Sequence, residues 1–145
     1  MKRIVFVASL LALGVTAAVA QSDVVKQRQD LMKQMGAQTR TIGGMLRGQE
    51  SFDLAKVQAS LKVLADNSQK AGPLFPENSK DDPKTEALPS IWQNPDKFQA
   101  IRSKLHQDAE TAMNTIKDEA TFKAEMPKVI QNCGACHNEF RKKSS

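Results

Sequence analysis

The chain has no tyrosine, a single tryptophan, two histidines and two cysteines. Each scarcity closes off a class of chemistry. A structural zinc site takes about four Cys or His ligands, and beyond the "CGACH" stretch of residues 133–137 only His106 is left to supply one. Aromatics are only 5% of residues and no dense basic run interleaves with them, which argues against a nucleic-acid surface. No alternating stretch suggests a strand, and no low-complexity segment or repeat beyond helix pairs is present. No nucleophile with an acid–base partner stands out, so nothing points to an enzyme.

Charge and hydropathy set the compartment. Met1-Lys2-Arg3 is a basic start, Ile4 to Leu13 is apolar apart from Ser9, and Ala18-Val19-Ala20 has the small residues that a signal peptidase reads. Residues 1–20 are therefore expected to be a secretory signal cleaved after Ala20, with 21–145 as one helical domain exported to the periplasm. Loss of Lys2 and Arg3 lowers the net charge from +5 to +3. No later stretch is apolar enough to span a bilayer, so stable membrane insertion is not expected.

The remaining chain reads as four amphipathic helices. The first runs from Asp23 to Arg47, with Val24, Leu31, Met35, Gln38, Ile42 and Met45 as its inner stripe, and stops at Gly48. The second runs from Phe52 to Lys70 with Leu54, Val57, Leu61 and Leu64 on one face. Five of the six prolines then fall between Ala71 and Asp96, a long irregular connection. Leu74, Phe75, Ile91 and Trp92 make it too apolar for a free linker. The third helix runs from Asp96 to Lys117, with Phe98, Ile101, Leu105, Ala112 and Ile116 inward. The fourth runs from Thr121 to Lys143 and contains Phe122, Val129, Ile130 and Phe140. Pro127 within it either kinks the helix or marks its true start. The fold class is all-α, an antiparallel up-and-down four-helix bundle.

Cys133, Cys136 and His137 spell C-x-x-C-H, the attachment signal for one covalently bound haem c. A disulfide across so small a loop would remove little unfolded-state entropy, and redox C-x-x-C motifs sit at helix starts after strands. On a helix, residues three apart share a face. Both thiols can then bond one porphyrin edge while His137 reaches the iron from the same side.

The stretches "RQDLMKQMG", "FDLAKV", "IWQNPDKF" and "CGACHNEFRKK" resemble the class II c-type cytochromes, the cytochrome c′ family. The resemblance covers the whole chain after the signal. It implies a left-handed bundle with haem set among the helices near one end. It also implies one of two branches. In the low-spin, c-556-like branch a methionine of the first helix ligates iron; in the high-spin branch an apolar residue leaves five-coordinate iron that binds nitric oxide or other small gases. The family's distal position lies four residues after its Arg-Gln pair, here Arg28-Gln29, which makes Met32 the implied sixth ligand.

Periodicity alone leaves Met32 and Met35 both as core residues. In an antiparallel bundle Met32, about 14 Å up its helix, lies near the level of His137, whereas Met45 is about 20 Å further along. Met113 and Met126 fall near the far end. His106 is expected at a core edge and not on the iron. Trp92 and Phe75 are expected as core or cofactor contacts. Arg28 and Gln29 are candidates to meet a haem propionate, and Arg141, Lys142 and Lys143 to lie near the haem edge and steer an acidic redox partner. The expected activity is one-electron transport between redox partner proteins, by a monomer or homodimer, with gas binding as the alternative.

Overall fold

The computed structural model describes residues 12–143, with side chains from Asp23 onward. Most of the expected signal, 1–11, lies outside the described residues. Five helices follow in order: α1 (Ala12–Leu46), α2 (Leu54–Lys70), the short α3 (Ser90–Gln93), α4 (Pro95–Thr115) and α5 (Glu119–Phe140). Four of them are long and form the antiparallel bundle. Among the described residues there is no strand; one isolated bridge pairs Ala87 with Arg141.

Local chemistry sets the helix ends. Asp53 caps α2 by accepting from the Lys56 N–H at 3.0 Å. Gly48 takes a positive φ of 69° just past α1, a conformation glycine adopts at no steric cost. At α5, Asp118 accepts from the Thr121 N–H at 2.8 Å while Thr121 Oγ1 accepts from the Asp118 N–H at 3.1 Å. That reciprocal cap starts the helix at Glu119, so Pro127 is neither its beginning nor its end. Pro127 lies on the solvent face, where water can take the carbonyl its missing N–H leaves unpaired. α1 extends upstream of the expected Asp23 start, through residues 12–22.

α1 packs on α2, α2 on α4, and α4 on α5. The main core contains Ile42, Met45, Val57, Leu61, Leu64, Ile116, Phe122, Met126 and Val129, each at most 3% exposed. The second, third and fourth apolar stripes are as the periodicity predicts. In the first, Met35, Ile42 and Met45 are buried as expected, but its start is shifted: Val25 and Arg28 are buried in place of Val24, and Leu31 is only half-buried. The 71–94 connection folds back over the other end of the bundle. There Ile91, Phe98 and Phe140 form a second apolar cluster with Phe75, Ala87, Trp92, Ile101 and Cys136.

Candidate functional site

The site begins on the last two turns of α5. Cys133 and Cys136, three apart, are half-buried on one face and are free thiols. Burial pushes both thiols up. Cys136 reaches about 11, with Cys133 adding to the rise and Arg102 opposing it. His137 follows and opens onto solvent through a cavity. Lost hydration, then Arg141, hold its imidazole below the ordinary value, while Glu86 opposes them. A neutral imidazole is the form that ligates a metal.

Two connected lobes lie against this face. The outer one has a volume of about 540 Å³ and takes in Met32, Gly36, Phe75, Phe98, Cys136 and His137. The inner one, about 120 Å³, adds Cys133, Met35, Ile101, Arg102 and Leu105. The outer volume falls in the ~300–1,000 Å³ range of cofactor sites. Met32, Gly36, Phe98, Cys136 and His137 border both lobes.

The residues fit a haem held by two thioethers. Both thiols are unpaired, a soft thioether and an imidazole share the same space, and Gly36 leaves it clear. A Cβ built at Gly36, in the middle of α1, would have nothing within 4 Å. Glycine there costs helix stability, about 1 kcal/mol against alanine. Its return is an open face one turn from Met32.

Aromatic rings wall the site. Phe75 and Phe98 lie edge-to-face with centroids 4.8 Å apart, and Phe98 and Phe140 likewise at 5.2 Å. Trp92 stands behind, its Nε1–H donating to the Phe75 carbonyl at 3.0 Å. Both Phe75 and Trp92 are thus core of this wall, and Phe75 also borders the cavity.

Arg28 is 4% exposed. Its Nη1 donates to Leu74 O at 3.0 Å and Ser79 Oγ at 2.9 Å, and Nη2 to Ser79 O and Thr85 Oγ1. The guanidinium stacks over Phe75 at 4.7 Å. Gln29 Nε2 donates to Lys84 O at 2.8 Å. Both residues border the outer lobe, and both anchor the connection to α1.

The C-terminal side holds the same connection. Arg141 pairs with Glu86 at 2.9 Å, Lys142 Nζ donates to Thr85 O at 2.8 Å, and the Leu88 N–H donates to Phe140 O at 2.9 Å. Two of the three basic residues expected to face a partner are therefore engaged inside the molecule. His106 lies at the edge of the core, away from the cavity. Its Nδ1 lies 3.2 Å from Ala65 O and its Nε2 2.9 Å from Gln69. Met45 and Met126 are buried in the main core and Met113 packs against it.

Sequence reasoning missed Arg102 and Gly36. Arg102 carries no periodic signal, because its role depends on contacts with α2. Gly36 could have been found as a mid-helix glycine one turn beyond Met32.

Comparison with known proteins bears on this arrangement. A family model described as Cytochrome C′ matches residues 23–141. A cytochrome c′ of Rhodopseudomonas palustris is 48% identical, over 99% of this chain and 98% of its own. A cytochrome c-556 of the same species is 35% identical over 99% of each. The solved R. palustris cytochrome c′ superposes with a TM-score of 0.82 at 47% identity, covering 85% of this chain and 98% of the other. The oxidised R. palustris cytochrome c556 gives 0.78 at 32% identity, covering 86% and 99%.

Proposed function

Because the chain belongs to the cytochrome c′ family, we propose that the two-lobed cavity is its haem site and that it works as a low-spin, periplasmic one-electron carrier. The chain is a monohaem class II cytochrome, with haem c as its cofactor. Its family comprises electron carriers and gas binders, not enzymes. Cys133 and Cys136 are the attachment thiols, His137 the proximal ligand and Met32 the sixth ligand. Residues 1–20 are the signal, removed after Ala20. Bound haem supplies a one-electron Fe(III)/Fe(II) couple, and a His/Met pair favours a higher potential than two nitrogen ligands would.

The observation that carries the Met32 assignment is the cavity lining. Met32 borders both lobes together with His137, whereas Met35 borders only the inner one. Met32 is half-buried and mobile enough in its three torsions to turn its sulfur into that space. His137 presents a neutral imidazole from α5. Phe75, Phe98 and Phe140 give that space an apolar wall. Arg28 and Gln29 border the outer lobe, where a propionate would meet them. Arg28 would share donors it already gives to the connection.

The second reading is five-coordinate iron that binds nitric oxide. Relatives named cytochrome c′ and cytochrome c-556 both match nearly the full chain, so the names leave both branches open. A pair of variants separates them. Met32→Leu is expected to remove the weak far-red sulfur-to-iron band and open the ferrous protein to carbon monoxide; Met35→Leu is expected to leave both unchanged. The reverse pattern would move the ligand one turn along α1. No change in either variant would favour the gas-binding reading.

A further inference from the structure

Four arginines border the cavity, Arg28, Arg40 and Arg141 at the outer lobe and Arg102 at the inner one, and Arg28 and Arg102 are held in opposite ways. Arg28 spends its terminal nitrogens on four oxygens of the connection, and Asp82 lies near enough to favour its charge. Arg102 borders the inner lobe, beside Cys133 and Cys136, and among the described residues no carboxylate pairs with it. Its Nη1 donates to the Ser68 carbonyl at 2.8 Å, in the last turn of α2. Its guanidinium lies 5.4 Å from the centre of the Phe98 ring. Its Nε is buried with no hydrogen-bond partner.

The fold makes room for this cation. A Cβ on Gly72, two residues past the end of α2, would come within 2.8 Å of Arg102 Nη1, so a larger residue there would make the guanidinium shift. The Ser68 carbonyl belongs to the negative end of α2, and Phe98 offers the face of its ring; both favour a positive charge without neutralising it. A net charge in so sheltered a position is weakly screened by solvent and salt.

We propose that Arg102 is a potential-setting residue: an unneutralised cation in the wall of the haem cavity that favours the reduced iron. The inference rests on the site reading above. The iron centre gains one electron on reduction, and a fixed positive charge nearby stabilises the less positive state. Arg102 acts through the field and not through ligation.

Potentiometric titration of the haem-loaded protein tests this. Arg102→Met is expected to lower the equilibrium constant for reduction by about tenfold, which is 59 mV for one electron. The shift should persist at high salt, and the ferric spectrum should keep its spin state. Arg102→Lys should retain most of the wild-type potential, because it keeps the charge while losing the planar fork. Should the Met variant fail to load haem, Arg102→Gln serves in its place. Arg40→Met, on the exposed rim, should shift the potential less and lose that shift in salt. An unchanged potential in Arg102→Met or Arg102→Gln would overturn the proposal. So would equal shifts in the Lys and Met variants with an altered spectrum, which would mark a packing role. Absence of covalent haem in the wild type is a different result, since it removes the site reading itself.

Discussion

The two ends of the bundle are built on different rules. The far end is filled with aliphatic side chains, two methionines and Phe122, at most 3% exposed, and each arrives there by helical spacing. The haem end is walled by rings, four arginines and a connection rich in proline, and opens into about 540 Å³ of space. The far end needs only helices that agree in register. The haem end needs a cofactor to fill it and a strap to close it. Stability and function are thus divided along the bundle axis.

Removing the cofactor should break the comparison most severely. Cys133→Ala with Cys136→Ala is expected to abolish haem that survives acidified organic extraction. Hydrogen exchange should then show protection lost over 71–94 and the end of α5, with Leu61 and Leu64 still protected. Equal loss at both ends would mean that the far core cannot stand alone.

Truncation within each cluster sharpens the contrast. Phe122→Ala should cost about 3–5 kcal/mol in denaturant titration, with the haem spectrum unchanged. Phe98→Ala should also destabilise, but it should alter the iron spectrum by admitting water. Identical spectra in the two variants would dissolve the distinction between the ends.

The strap is next in size. Arg28→Met removes charged hydrogen bonds to Leu74, Ser79 and Thr85 and should cost about 1.5–3 kcal/mol. Arg28→Lys should fail to restore it, since a single ammonium cannot reach all three as a planar fork does. Proteolysis over 71–89 should quicken in both.

Those differences track what was legible in the sequence. Val57, Leu61, Leu64, Ala112 and Ile116 follow the helical period, and C-x-x-C-H carries its own chemistry, so the far core and the attachment face could be read directly. Arg28 could not: its partners lie 46 to 57 residues away on a segment without periodicity. The shift at the start of the first stripe has the same origin. Val24 and Val25 are indistinguishable by hydropathy, and the burial of Arg28 puts Val25 inside. Pro127 left the start of α5 open in the sequence, because that start is set by Asp118 and Thr121.

The smallest effect belongs to that cap. Asp118→Ala should lower the melting temperature slightly without touching the spectrum. The Thr121 N–H holds the Asp118 carboxyl below its ordinary value. Its stabilising contribution is present above the unfolded-state pKa and is lost as pH falls through the lower folded-state value. The wild-type and variant melting curves should therefore converge in acid.

Above all these stands the identity of the sixth ligand, which decides between electron carrier and gas binder. The most direct measurement is the absorption and electron paramagnetic resonance spectrum of the resting ferric wild type, followed by carbon monoxide titration of the ferrous form. Met32 on the iron predicts a low-spin ferric signal, the weak far-red sulfur band and a ferrous form that resists carbon monoxide. A high-spin ferric signal with ready carbon monoxide binding would contradict it.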